Sequence, residues 1–194
     1  MANQAEQLFK VLLDKAYQRY LATPSLRQFS GWPADLIYQP QQAKSVPACT
    51  AIKNWPTDDP LHLATKDVCD IARWKQSYSL DEVGQAFLDA YGYIELVGPD
   101  GVYRSDQLRV FIGYWGPDIH YPWHRHEAVE IYQVISGAMR FETQDGSQID
   151  IEEGDTHSHK SWQAHQMFIG PKGVLALALW KGAGLANLPS LDEA

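Results

Sequence analysis

Residues 124–137 read HRHEAVEIYQVISG and decide the fold of this chain. They combine two histidines spaced as His-x-His, a glutamate four residues later, and a run of β-branched and aromatic residues that ends at a glycine. Side chains two apart on a strand point to the same face, so His124 and His126 project together, as do Glu130 and Tyr132. Two neighbouring strand segments can therefore direct two imidazoles, a carboxylate and a phenol into one interior.

These side chains indicate a transition-metal site. Imidazole and carboxylate suit Fe²⁺, Mn²⁺, Zn²⁺, Ni²⁺ and Cu²⁺, and this stretch offers no thiolate that would favour a softer metal. All the histidines except His62 lie between His120 and His165, which scattered surface histidines would not do. We expect His120, His157 and His159 to take loop or supporting positions around the site. We expect His62 to lie on the surface of a helix.

The chain after residue 100 is predicted to form strands and turns. Short runs rich in Val, Ile, Tyr and Phe are separated by Gly, Pro and Asp-Gly signals. Many short strands at close spacing predict a sandwich or a small barrel. The predicted strands are Leu108–Trp115, Val129–Ser136, Ala138–Gln144, Ser147–Ile151 and Val174–Trp180.

Helical spacing dominates the first part of the chain. Apolar residues in the segment 8–20 recur at intervals of three and four until Pro24. Pro60 begins a second helix, and Ser79 and Glu82 have capping-box spacing at the start of a third, with Gly92 as its predicted stop. The prolines within residues 30–58 predict an irregular connection. We predict a helical N-terminal region over 1–100, packed on a β-barrel that spans 101–194 and holds the metal.

Composition restricts the partners of this protein. The chain has 194 residues and a net charge of −8, and a nucleic-acid partner would require a concentrated basic surface. It lacks 18 consecutive apolar residues, so we expect no membrane span, and its start does not resemble a secretory leader. Its two cysteines predict no disulfide scaffold. We therefore expect a cytoplasmic protein without membrane or nucleic-acid partners, whose helices contribute a lid or a homodimer contact.

The segment from Gly116 to Gly137 resembles the first motif of the cupin superfamily. That motif is a glycine, His-x-His, three residues, a glutamate, six residues and a glycine, and only the leading gap differs, at seven residues instead of five. The segment from Gly154 to His165 resembles the second cupin motif, in which His165 falls on the expected histidine. The departures from the second motif are Lys160, Trp162 and Ile169, in place of proline, glycine and asparagine. The resemblance implies a mainly β fold, a single cupin (double-stranded β-helix or jelly-roll) barrel preceded by α-helices.

Within that superfamily the chain resembles the Q-type dimethylsulfoniopropionate (DMSP) lyases of marine bacteria. Those enzymes have a similar length, helices before one barrel, a tyrosine shortly before His-x-His and another two residues after the glutamate. Here the two tyrosines are Tyr121 and Tyr132. The resemblance implies that the metal ligands are His126, Glu130 and His165, with Tyr132 near or on the metal and His124 close by.

These observations lead to a predicted site with one divalent transition metal, Fe²⁺, Zn²⁺ or Mn²⁺. The strand face that His124 shares with His126 makes it the expected fourth ligand beside His126, Glu130 and His165. Tyr132 is the expected catalytic base, and Tyr121 is the alternative base or a substrate-positioning residue. A sulfonium group has no hydrogen-bond donor and is best held by aromatic faces. The expected substrate-binding residues are Tyr121, Trp123, His124, Trp162 and Trp180.

The reaction implied is a β-elimination that converts zwitterionic DMSP into dimethyl sulfide and acrylate. A metal that binds the carboxylate makes the adjacent proton more acidic, and a phenolate is a stronger base than a carboxylate. Two alternatives stay open from the residues: an Fe²⁺-dependent cupin dioxygenase and a non-catalytic cupin that binds a small molecule. A sugar isomerase is disfavoured because only Arg125 and Arg140 lie near the motif.

Overall fold

The structure, a computed structural model, describes residues 4–192. Five helices precede most of the sheet, and none within the described range is long and apolar enough to cross a membrane. The helices are α1 (Gln4–Ala22), α2 (Pro24–Phe29), α3 (Ala48–Asn54), α4 (Pro60–Val68) and α5 (Leu80–Asp89).

The helix boundaries follow local sequence signals. Helix α1 buries the stripe that includes Phe9, Leu12 and Ala16, and it ends before Pro24, as predicted. Asp59 caps α4, because its carboxylate accepts hydrogen bonds from the first backbone N–H groups of that helix. The predicted capping box of α5 is also confirmed, with Ser79 and Glu82 bonded to each other's backbone.

Over residues 4–192 the sheet has ten strands, and its two longest strands, β6 and β9, pair along most of their length. Strand β9 also pairs with β4 through its second half and with β5 through its first half. These pairings curl the sheet around an interior. The strands are β1 (Ile37–Tyr38), β2 (Tyr91–Gly98), β3 (Tyr103–Arg104), β4 (Arg109–Trp115), β5 (His120–Arg125), β6 (Val129–Thr143), β7 (Gln148–Glu152), β8 (Thr156–His159), β9 (His165–Lys181) and β10 (Ser190–Leu191).

Alternation along the strands separates two apolar clusters. On β9, Leu175, Leu177 and Leu179 face the helices, while Ala176 and Ala178 face the barrel interior. Burying each leucine contributes about 1.5–3 kcal/mol, so this outer face fixes the helical layer on the barrel. The predicted mainly β barrel preceded by helices is confirmed.

Three predictions about elements need correction. The segment 30–58, predicted to be irregular, contains β1 and helix α3. Both elements are too short, between the prolines, for a periodic pattern to be recognised. Gly92 does not stop a helix but lies in β2, where an added Cβ would come within 3.0 Å of Val46 Cγ2. The sheet thus begins with β1 and β2, before residue 100. The two predicted strands on either side of Gly137 form one strand, β6, with shifts of register around that glycine.

Gly137, the last glycine of the sequence motif, has a steric role. Its φ is +90°, a backbone conformation that side chains other than glycine rarely adopt. A Cβ at this position would also lie 2.1 Å from the carbonyl oxygen of Gly173. The motif glycine therefore lets β6 pass closely beside β9.

Candidate metal centre

Three strands and one loop position the side chains of the candidate metal centre. His124 on β5 is paired directly with His165 on β9, and Glu130 on β6 is paired with Trp180 further along β9. His126 follows the end of β5 in the short connection to β6. Strand β9 therefore brings the histidine of the second motif, His165, close to His126 and Glu130 of the first motif.

His126, Glu130 and His165 form a buried group whose ligand atoms all lie within 4.8 Å of one another. Glu130 Oε2 is 3.0 Å from His126 Nε2 and 3.6 Å from His165 Nε2. The Nδ1 atoms of His126 and His165 each donate to a backbone carbonyl at 2.9 Å, those of Ala128 and Gln163. A carbonyl that accepts from Nδ1 fixes the ring and leaves Nε2 to act as the ligand.

The donor set fits a divalent transition metal. Two imidazoles and one carboxylate are a common arrangement that leaves coordination positions open. The buried Nε2 of His165 has no hydrogen-bond partner within residues 4–192. A buried polar atom without a partner is costly, and a cation at this group would supply the missing contact.

His124 lies beside this group, not within it. Its Nδ1 donates to the Pro122 carbonyl at 2.8 Å. Its ring stacks on Tyr121 with the centroids 3.9 Å apart and lies 4.1 Å from the ring of His165. Burial lowers the pKa of His124 to about 3, so the ring stays neutral.

Electrostatics keep the group ready for a cation. Burial alone would raise the pKa of Glu130, but His126 and the Trp180 N–H hold it below its ordinary value. Burial alone would lower the pKa of His126, but the Glu130 carboxylate raises it above its ordinary value. Burial, followed by the effect of His124, lowers the pKa of His165. The centre therefore presents a carboxylate and a neutral imidazole at neutral pH.

A cavity that is partly open to solvent lies against this group, with His126 and His124 in its lining. Tyr121, Tyr132, His124 and Trp180 line it, which brings these four predicted residues together. The Tyr121 hydroxyl is 2.8 Å from that of Tyr78. Burial raises the pKa of both Tyr121 and Tyr132 well above the ordinary value, and Glu130 adds to the effect on Tyr132.

The other two predicted tryptophans are not among the residues that line the cavity. Trp162 is 55% exposed, and its positive φ of 59° turns the side chain outward. Its backbone N–H donates a hydrogen bond to the carbonyl of His126. Trp123 is half-buried, and its carbonyl accepts from the N–H of Asp192. Strand β5 shifts register between Tyr121 and His124, which brings both of those rings inward.

Comparison with known proteins identifies the family. The sequence profile of the dimethylsulfoniopropionate lyase family matches residues 37–176. The chain belongs to the dimethylsulfoniopropionate lyase family. It is 26% identical over 184 residues to the DMSP lyase DddQ of Ruegeria pomeroyi, and this alignment covers 92% of each protein.

Solved structures agree with this assignment to the DMSP lyase family. A chain from the crystal structures of the DMSP lyases RdDddP and RnDddQII superimposes with a TM-score of 0.94 and 33% identity, covering 98% of this chain and 100% of that one. The crystal structure of DddQ from Ruegeria pomeroyi DSS-3 gives 0.88 and 25%, covering 96% of each. The barrel expected from the strand pattern and the His-x-His motif, and the DMSP lyase family expected from the two tyrosines, are confirmed.

The DMSP lyase-family cavity contains residues that the sequence analysis missed. Tyr91 and Tyr93 from β2 and Phe111 and Trp115 from β4 supply an aromatic wall. The available signal was the spacing: Tyr91 and Tyr93 are two residues apart, and Phe111 and Trp115 are four apart. An even spacing places both residues on the same face of their strand. Gly113 makes room for this wall, since a Cβ there would lie 2.4 Å from the Trp115 ring. Arg109, also in the lining, carried no sequence signal.

The remaining histidines lie outside the candidate metal group. His62, expected on a helix surface, is fully buried, because α4 turns this residue toward β6; that prediction is wrong. His120 is exposed and lies 2.8 Å from Gln166 Oε1. His159 is buried and stacks on His165 with the centroids 3.8 Å apart, and His157 lies against His159.

Proposed function

We propose that this protein cleaves DMSP to dimethyl sulfide and acrylate by β-elimination, with one divalent metal held by His126, Glu130 and His165. The observation that carries the proposal is the buried group of these three residues, which adjoins an aromatic cavity lined by two tyrosines. Membership of the DMSP lyase family supports the choice of substrate. Zn²⁺, Fe²⁺ and Mn²⁺ are the proposed metals, since each accepts imidazole and carboxylate ligands.

The chemistry requires the removal of a weakly acidic proton next to a carboxylate. When bound, the metal supplies a Lewis acid that withdraws charge from that carboxylate and favours the phenolate form of a nearby tyrosine. Tyr132, as the phenolate, takes the α-proton at its phenolic oxygen and becomes the neutral phenol. The C–H electrons form the double bond of acrylate, the bond from the β-carbon to sulfur breaks, and its electron pair leaves with dimethyl sulfide.

The aromatic wall accounts for recognition of the cationic end of the substrate. Aromatic faces attract a cation that cannot donate a hydrogen bond. Phe111 and Trp180 are in edge contact with centroids 5.5 Å apart, and Tyr93 lies 5.6 Å from Phe111. Arg109 beside them is paired with Glu95 at 3.1 Å, which offsets its charge in this part of the cavity.

The direct test is the release of dimethyl sulfide into the headspace from purified protein and DMSP. Chelated protein should be inactive, and Fe²⁺, Mn²⁺ and Zn²⁺ should restore turnover to different extents. Turnover should be equal with and without O₂, because no step changes an oxidation state. A requirement for O₂ would favour the dioxygenase alternative, and metal binding without any product would favour a binding protein.

Two further expectations concern the setting of the enzyme, a cytoplasmic location and a homodimer. The cytoplasmic location is supported by Cys49 and Cys69, which are free thiols, and the homodimer by the helices outside the barrel. Molar mass in solution, measured by light scattering, tests the dimer: the mass of one 21.9 kDa chain would contradict it.

A further inference from the structure

A single row of interior side chains crosses four strands of the barrel. Arg109 on β4 is paired with Trp180 on β9, Trp180 with Glu130 on β6, and Glu130 with His159 on β8. Residues paired directly across strands point to the same face. All four are at most 4% exposed, so this row connects Arg109 to the metal centre entirely within the interior.

Trp180 is the link between Arg109 and the ligands. Its Nε1–H donates to Glu130 Oε1 at 2.6 Å, the carboxylate oxygen that does not contact His126. Its indole also stacks on His126, with ring centroids 4.2 Å apart and an angle of 25°. One indole therefore orients two of the three candidate metal ligands.

Arg109 holds that indole. Its guanidinium carbon lies 4.9 Å from the centroid of the Trp180 ring, within the range of a cation–π contact. The N–H groups of Arg109 are directed elsewhere, to Glu95 Oε2 at 3.1 Å and to the Asn187 carbonyl at 3.1 Å. Lys75 donates to the same oxygen of Glu95 at 2.8 Å. This contact holds the Glu95 carboxylate in place, and the carboxylate in turn positions Arg109.

We infer that Arg109 is a positioning residue of the metal centre, which acts through Trp180 on Glu130 and His126. The inference rests on the proposed function only in assigning a metal to these ligands. The planar guanidinium can stack on the indole while its edges bind Glu95 and the backbone, and an ammonium group cannot do both. A structural ion pair alone would account for Arg109 and Glu95 but would give Arg109 no influence on the metal.

The test uses the full chain, stripped of metal, and measures the affinity for Zn²⁺ alone by competition with a chromogenic chelator. Arg109→Lys and Trp180→Phe should each weaken Zn²⁺ binding by about 10- to 100-fold, the usual cost of losing an outer partner of a metal ligand. The double variant should be no weaker than the weaker single variant, because both changes interrupt the same contact. Arg104→Lys is the matched control, since Arg104 is 55% exposed and remote from the row, and it should bind Zn²⁺ as wild type does.

The affinity pattern decides between positioning and a purely structural role. Circular dichroism and thermal unfolding establish that each variant is folded. If Arg109→Lys lowers the melting temperature but binds Zn²⁺ normally, or if the losses multiply in the double variant, the inference is overturned. Should Arg109→Lys fail to fold, Glu95→Gln takes its place and should weaken Zn²⁺ binding in wild type but not in Trp180→Phe. Headspace assays are separate: no dimethyl sulfide from wild type would remove the proposed function and leave this inference standing.

Discussion

The Nδ1 atom of His62 lies 2.8 Å from the hydroxyl oxygen of Ser136, joining helix α4 to strand β6 just before its bend at Gly137. Both residues are buried, so the contact belongs to the interface between the helical layer and the barrel. Burial lowers the pKa of His62, and Nε2 has no hydrogen-bond partner within the described residues. A protonated imidazole is therefore disfavoured in the folded protein.

This contact predicts an acid-sensitive contribution to stability. In the unfolded chain His62 takes up a proton below a pH of about 6.5, whereas the folded protein resists protonation. The folded state therefore loses stability as the pH falls below about 6.5, by up to about 1.4 kcal/mol per pH unit for this histidine. Urea unfolding of wild type and His62→Gln at pH 7.5 and 5.5 measures it. Wild type should lose about 1 kcal/mol more than the variant, and equal losses would contradict the prediction.

Gly137→Ala should destabilise the protein strongly. The new Cβ would meet the Gly173 carbonyl in a backbone conformation that already disfavours alanine. The conformation alone costs about 1–2 kcal/mol, and the clash adds to it. Gly146 is the matched control, since its φ of +82° is similar but no atom lies within 4 Å of an added Cβ. Denaturant unfolding should show a larger loss for Gly137→Ala than for Gly146→Ala.

Removal of the first 100 residues should leave a barrel that is insoluble or inactive. The cut deletes β2, whose Tyr91 and Tyr93 line the cavity, and it uncovers the leucines of β9 that face the helices. An exposed apolar face of this kind favours aggregation. Expression of the fragment beside the full chain, followed by the dimethyl sulfide assay, tests this. Unchanged turnover by the fragment would show that the helices are dispensable.

The proposed metal ligands lead to distinct predictions. His126→Ala and His165→Ala should abolish stoichiometric metal, because each removes one of the three proposed ligands from a buried group. His124→Gln should retain metal, because His124 lies outside that group and its Nδ1 is bonded to the Pro122 carbonyl. Elemental analysis of dialysed protein gives the metal content of each variant. Loss of metal in His124→Gln would restore His124 as a fourth ligand, and full occupancy in the two alanine variants would contradict the assignment.

Local spacing was sufficient to predict some features of the site but not others. Glu130 and Tyr132 are two residues apart on β6, so strand periodicity places them together, whereas His126 lies in the connection before β6 and is near Glu130 because it is close in sequence. Arg109 reaches the site through a contact across strands, and Tyr78 reaches it from the residue before the cap of helix α5. No local sequence pattern encodes either contact. Trp162 fell on a motif position, but a positive φ turned it outward. The orientation of α4 on the sheet likewise decided the burial of His62.

The sharpest prediction is that Tyr132→Phe removes the base and leaves the centre intact. Phenylalanine keeps the ring contacts with Trp115 and Phe141, so folding and metal content should survive. Loss of general-base catalysis should lower kcat by about 10²–10⁴-fold. KM should change little, because the residues proposed to hold the metal are untouched. Steady-state kinetics from dimethyl sulfide release measures both constants.

Tyr121→Phe is the comparison that separates the two tyrosines. Tyr121 already shares a hydrogen bond with Tyr78, which suits a residue that positions the substrate, so its loss should cost less than that of Tyr132. Solvent deuterium exchange into the α-position of an unreactive substrate analogue, followed by NMR, reports proton removal directly. Exchange at the wild-type rate in Tyr132→Phe but not in Tyr121→Phe would assign the base to Tyr121. Normal exchange in both variants would exclude both tyrosines, because a phenylalanine ring cannot accept the proton.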